Sequence, residues 1–132
     1  MPRILIVDDE QLVRNALRRA LRGYETVTAA NGAEALDCLD KSPAPFDLIL
    51  CDLMMPNVSG IDLYRHLCER RPGCEKQLVF LTGGVFTDEA RDFLDEISNR
   101  VVQKPFDVRK LRTIVKDTLL AGADEEASRP AR

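Results

Sequence analysis

The chain has 132 residues, 45% hydrophobic and 31% charged, which is the size and balance of one domain with a packed core. Seven Gly and seven Pro are close to average usage and argue against a collagen-like, low-complexity or wholly disordered chain. A formal net charge of -3 with scattered basic residues leaves no electrostatic footprint for direct nucleic-acid binding.

Along the chain, short β-branched apolar runs alternate five times with amphipathic stretches. The first run, Ile4 to Val7, has no polar alternation, as expected of a parallel strand covered on both faces. Leu12, Val13, Ala16, Leu17, Ala20 and Leu21 then recur at the spacing of a helix with one buried stripe, and Gly23 follows as a stop. A second strand is expected over Glu25 to Ala29, and a second helix over Ala33 to Asp40, ended by Pro43 and Pro45. The third strand is Asp47 to Cys51, and the helix after Gly60 carries Ile61, Leu63, Tyr64, Leu67 and Cys68. The fourth strand is Gln77 to Leu81, followed by a helix capped by Thr87 and running through Ile97. The fifth strand is Arg100 to Gln103. Asp107 caps the last helix, with Val108, Leu111, Ile114, Val115 and Leu119 as its apolar stripe and Gly122 as its terminator.

Five strand-helix alternations predict right-handed crossovers and a five-stranded parallel α/β sheet, doubly wound, with helices on both faces. The domain is expected over residues 1-122, and residues 123-132, whose only apolar side chains are alanines, as a disordered tail. Cys38, Cys51, Cys68 and Cys74 form no C-x-x-C pair and are expected as free thiols. Nothing resembles a signal peptide, and no run approaches the roughly 20 apolar residues of a membrane span. The expected setting is therefore cytoplasmic, away from the membrane.

In such sheets, ligands sit beyond the carboxyl ends of the strands. Strand one ends in Asp8-Asp9-Glu10, strand three in Asp52, strand four in Thr82-Gly83-Gly84 and strand five in Lys104-Pro105. Taken singly, each has an ordinary role as a cap, a turn residue or a solvated charge. Gathered at one sheet edge, the carboxylates would repel and lose hydration together unless a cation paired with them. A hard divalent ion with oxygen ligands suits that set. Mg2+ keeps several waters and is usually held by one or two protein carboxylates plus phosphate oxygens. With Asp9 and Asp52 as ligands, Asp52 could act as a nucleophile forming an aspartyl phosphate, its charge neutralised by the metal and Lys104.

These motifs resemble the receiver domains of two-component response regulators over about residues 3 to 121. They are Ile4-Leu5-Ile6-Val7-Asp8-Asp9-Glu10, Asp52-Leu53-Met54-Met55-Pro56 with Gly60 eight residues after Asp52, Leu81-Thr82-Gly83, and Lys104-Pro105-Phe106. The resemblance implies the flavodoxin-like strand order 2-1-3-4-5 with five helices. It implies that Asp52 accepts a phosphoryl group from the phosphohistidine of a sensor histidine kinase or a histidine phosphotransfer protein. Asp8, Asp9 and Asp52, with the main-chain carbonyl of Met54, would hold Mg2+. Thr82 and Lys104 would bind phosphoryl oxygens as the catalytic pair, and a cis bond before Pro105 would aim the lysine. Output would go to a downstream protein partner or a covalently linked domain, the chain being either a stand-alone receiver or one taken from a larger protein. Catalysis would be confined to the domain's own phosphorylation and dephosphorylation.

One position departs from the pattern. Three residues before the lysine, where many members carry an aromatic side chain that swings inward when the threonine moves, stands Val101. A short β-branched side chain cannot sweep that volume, so the switch formed by Thr82, residue 101 and Pro105 is expected to be weaker there. The loop with two consecutive glycines after Thr82 is similar to loops of receivers in hybrid histidine kinases. The competing enzyme reading is a Mg-dependent aspartyl-phosphate phosphohydrolase of the haloacid dehalogenase type. That class resembles D-x-D-x-[TV] after its first strand, whereas Asp52 is followed by Leu53-Met54.

Overall fold

The computed structural model describes residues 1–83 and 87–127, with side chains through residue 122. The strands are β1 (Arg3–Val7), β2 (Glu25–Ala29), β3 (Leu48–Asp52), β4 (Leu78–Thr82) and β5 (Val101–Gln103). The helices are α1 (Gln11–Ala20), α2 (Gly32–Lys41), α3 (Gly60–Arg70), α4 (Asp88–Glu96) and α5 (Val108–Ala127). All pairings are parallel, in the order β2-β1-β3-β4-β5, as the resemblance implies. Each crossover therefore needs a helix to return the chain to the starting edge.

Alternation along the strands divides the core into two layers. Leu5, Val7, Ile49, Cys51 and Phe80 pack against α2, α3 and α4 with Ala35, Leu63 and Phe93. Ile4, Ile6, Leu48, Leu50, Val79 and Leu81 face the other way, against Leu17 and Leu21 at α1 and Leu111 and Val115 of α5. Burial on both faces is why β1 and β3 carry no polar alternation.

The helix starts follow local chemistry. Asn31 Oδ1 accepts from Glu34 N at 2.8 Å, Ser59 and Asp62 cap each other reciprocally at α3, and Thr87 Oγ1 accepts from Ala90 N at 3.1 Å. Asp107 Oδ1 accepts from Arg109 N at 2.8 Å and Lys110 N at 3.2 Å at α5. These caps satisfy N–H groups that have no partner inside the helix.

Four expectations need correction. Leu12, assigned to the buried stripe of α1, is 81% exposed. At 100° per residue it lies about 140° around the helix from Leu17, off the face that Val13 and Leu17 share. Val108 is half-exposed, because a first-turn side chain tilts off the helix N-terminus rather than onto the sheet. Gly122 does not end α5: the helix continues to Ala127, and Gly122 is not among the glycines with positive φ. An interior Gly costs only about 1 kcal/mol in a helix, too little to stop one continued by Ala, Asp and Glu. The rest of the expected tail, residues 128–132, lies outside the described residues. A short 3-10 turn, Cys74–Gln77, precedes β4 and moves its start from Gln77 to Leu78.

Candidate functional site

The carboxyl ends of β1, β3 and β4 and the residue after β5 meet at one edge of the sheet, and the expected polar residues meet with them. Asp8 follows β1 and is fully buried. Its main-chain N–H donates to Ala29 O at 3.2 Å, its Oδ1 accepts from Glu10 N at 2.9 Å, and its carbonyl accepts from Arg14 Nη1 at 2.7 Å. Asp52 ends β3 and is 6% exposed, with Oδ1 accepting from Met54 N at 3.2 Å.

Lys104 joins the two acids. Its Nζ donates to Asp52 Oδ2 at 3.0 Å and lies 2.7 Å from Asp8 Oδ2. The Asp8 contact is one of charge, outside hydrogen-bond geometry, so Asp8 Oδ2 is buried with no hydrogen-bond partner among the described residues. Backbone ties fix the three strand ends together: Lys104 N donates to Thr82 O at 2.7 Å and Leu53 N to Leu81 O at 2.9 Å. The Lys104-Pro105 bond is cis, as the resemblance implies.

Gly60 explains its own place in the motif. A Cβ there would lie 2.8 Å from Asp52 O and 2.9 Å from Leu53 Cα, so α3 can begin this close to the end of β3 only without a side chain.

The electrostatics follow from burial and pairing. Burial pushes the Asp52 carboxyl above the usual carboxylate range; Lys104 opposes this, Asp8 adds to it, and the Met54 N–H opposes it. Burial lowers the Lys104 ammonium, but the close contacts and charges of Asp8 and Asp52 outweigh it and hold the group above its ordinary value. Cys51 faces the α2, α3, α4 layer. Burial, with Asp52 and Asp8 nearby, holds its thiol far above the usual range, so it is a neutral core residue.

The metal set expected from sequence is brought together in part. Carboxylate oxygens of Asp8, Asp9 and Glu10 lie within 4.8 Å of one another, with Asp9 and Glu10 exposed. Asp52 stands outside that triplet and reaches Asp8 through Lys104. Glu10 was missing from the expected ligands although it is contiguous with the two aspartates. Hard carboxylate oxygens, one of them buried without a hydrogen bond, are the donors a divalent cation such as Mg2+ takes. Met54 is 43% exposed, and its main-chain N–H donates to Asp52 Oδ1.

Thr82 ends β4, 1% exposed, and its Oγ1 has no hydrogen-bond partner among the described residues. A Cβ on the next residue, Gly83, would meet nothing within 4 Å among the described residues. The second glycine of this loop and Phe86 lie outside the described residues. Val101 is half-buried, pairs in register with Phe80 and packs on the α2, α3, α4 layer. An aromatic cluster that sequence reading did not single out sits in that layer: Phe93 meets Tyr64 at 5.2 Å and Phe80 at 5.6 Å, both edge to face.

The family model described as response regulator receiver domain matches residues 4–116. The sensor kinase CckA of Brucella abortus is 33% identical over 118 residues, 88% of this chain and 12% of that protein. The response regulator MprA of Mycobacterium tuberculosis is 34% identical over 128 residues, 96% of this chain and 54% of that protein. The chain thus spans about half the length of MprA and a small part of CckA. A CheY-like receiver domain protein of Methanospirillum hungatei superposes with a TM-score of 0.81 at 28% identity, covering 95% of this chain and 98% of its own.

The fold and its edge of acids and lysine define a phosphoacceptor signalling module. The chain belongs to the receiver domains of two-component response regulators. The family match does not favour the phosphohydrolase alternative. Among the described residues, no helix is long and apolar enough to cross a membrane.

Proposed function

We propose that Asp52 is the phosphoacceptor and that the receiver unit, residues 1-122, takes its phosphoryl group from the phosphohistidine of a sensor histidine kinase or a histidine phosphotransfer protein. The observation that carries this reading is Lys104 Nζ held between two buried carboxylates, 2.7 Å from Asp8 and 3.0 Å from Asp52. In an apo fold such a triad only breaks even, the desolvation of its charges offsetting their attraction. It makes sense where an incoming phosphoryl group supplies the missing contacts.

In the step itself, an Asp52 carboxylate oxygen bonds to phosphorus as the phosphorus–nitrogen bond of the donor breaks, and the imidazole leaves with the electron pair. Asp8, Asp9 and Asp52, with the Met54 carbonyl, would hold Mg2+, which when bound neutralises charge on the transferring phosphoryl oxygens. Lys104 keeps its proton and turns from Asp52 to a phosphoryl oxygen. Thr82 donates its free hydroxyl to another, which satisfies an orphaned buried group. The chain's catalysis is then limited to its own phosphorylation and dephosphorylation, and the signal passes to a downstream protein or a linked output domain. Four free cysteines fit a reducing, cytoplasmic setting.

Intact mass after incubation with a small phosphodonor and Mg2+ tests the reading. Wild type should gain one acid-stable, base-labile phosphoryl group and Asp52→Asn none. Equal incorporation by Asp52→Asn would overturn the assignment.

A further inference from the structure

Arg14 occupies an unusual position. It lies in the first half of α1, half-buried, four residues after Glu10 and against the main chain of Asp8. A guanidinium there would ordinarily fork onto a carboxylate. It does not: among the described residues Arg14 forms no ion pair, and its Nη1 donates at 2.7 Å to the neutral carbonyl of Asp8.

That carbonyl belongs to the peptide plane joining Asp8 to Asp9. The plane is rigid, so fixing its oxygen fixes the direction in which the Asp9 backbone leaves β1. Every other polar group of Asp8 is already engaged. Its N–H is held by Ala29 O at 3.2 Å, Oδ1 by Glu10 N at 2.9 Å, and Oδ2 lies against Lys104 at 2.7 Å. Asp9, by contrast, is exposed, and its side chain makes no hydrogen bond among the described residues. Its orientation depends on the backbone behind it.

We infer that Arg14 is a positioning residue for the cation site: by holding the Asp8 carbonyl it sets the Asp8-Asp9 peptide plane, and it leaves the carboxylates free for the divalent ion. This rests on the proposed Mg2+ site. Groups that orient first ligands typically change metal affinity 10- to 100-fold when removed. The bare charge of Arg14 acts in the opposite direction, because a cation near the site repels Mg2+. Removing Arg14 should therefore weaken binding if position dominates and strengthen it if charge dominates.

The test is Mg2+ titration followed by amide chemical shifts of residues 8 to 11, on unphosphorylated protein, with Arg18→Leu as control. Arg18 lies one turn further along α1, exposed and without a side-chain hydrogen bond among the described residues, so its removal deletes a similar charge and no tie seen there. Arg14→Leu should bind Mg2+ about tenfold or more weakly than wild type, while Arg18→Leu binds as wild type or slightly tighter. Urea unfolding of each variant shows that it is folded. If Arg14→Leu does not fold, the same comparison is made with Arg14→Lys, which keeps the charge and loses the planar donor, and weaker binding is again expected. Arg14 variants that bind Mg2+ as tightly as Arg18→Leu would overturn the inference alone. Wild type that binds no Mg2+ would overturn the metal-site reading beneath it.

Discussion

Replacing Lys104 with methionine keeps the unbranched stem to Cε and removes the one cation between two buried carboxylates. At an effective dielectric of about 20, a contact at 2.7 Å is worth about 6 kcal/mol and one at 3.0 Å about 5.5 kcal/mol. Against these stands a desolvation penalty of several kcal/mol for each buried ion, so the intact triad is near balance. Without the lysine, Asp8 and Asp52 keep their penalties and their mutual repulsion. The expected cost is about 3–5 kcal/mol, a fall of roughly 10–20 °C in Tm for a domain of this size.

The sign with pH is fixed by Asp52. Its carboxyl in the fold lies above the usual range, chiefly through burial, so the native state holds this proton more tightly than the unfolded chain. Stability from this group is present at low pH and lost as pH rises through the folded-state value. Lys104→Met removes the opposing ammonium and enlarges that loss. Its deficit should therefore be greater at pH 8 than at pH 5. Wild-type Lys104, raised in the fold, contributes stability that is fully present below its unfolded value and lost only in the alkaline range, so it is constant across this window. Asp52→Asn, which removes a desolvated charge and leaves the Asp8–Lys104 pair, should be neutral or up to about 2 kcal/mol more stable than wild type. Urea unfolding of wild type, both single variants and the double variant, without metal, measures all of this. A Lys104→Met cost under about 1 kcal/mol, or one equal at both pH values, would refute the reasoning.

Thr82→Val should leave the apo domain as stable as wild type or about 1 kcal/mol more so, because the hydroxyl it removes is buried without a partner among the described residues; urea unfolding checks this, and a large loss would mean that the hydroxyl is engaged. Met54→Asn should shorten the lifetime of the Asp52 phosphate, since Met54 sits exposed beside it with no polar group to orient an attacking water; decay of the phosphoprotein by mass gives the comparison. Mg-beryllofluoride should perturb amide shifts at Thr82 and around Thr87 to Glu89 more than at Val101 to Gln103 or Leu111 to Val115. Equal perturbation would mean that the signal crosses β5 without an aromatic residue.

Most of this fold is legible in the sequence because its elements are separated by chemistry rather than by propensity alone. Ile4 to Val7 and Leu48 to Cys51 are too uniformly apolar to be anything but covered strands, and Asn31, Ser59, Thr87 and Asp107 sit where helices need an acceptor. The same local rules misplace Leu12, because the five apolar residues of α1 overfill a stripe that only part of them can share, and they stop α5 at Gly122, where no left-handed turn is made. The site is legible to a similar depth. Four strand ends predict which residues meet, but not how the charges are shared. Placing Lys104 between Asp8 and Asp52, leaving Asp9 with Glu10, and spending Arg14 on a carbonyl are consequences of distances that no spacing encodes. Signal exit is the sharpest case. Val101 in the sequence indicates only that an aromatic residue is missing from β5, whereas the packing puts Phe80, Phe93 and Tyr64 in edge-to-face contact across β4, α4 and α3. Phe80 Cε1 also lies 3.3 Å from the position of a Cβ on Gly60, the residue against the Asp52 carbonyl. Close-packed interiors transmit displacement rather than absorb it, so a change at the end of β3 has a route to α4 through these rings besides its direct link to the end of β5 through Lys104.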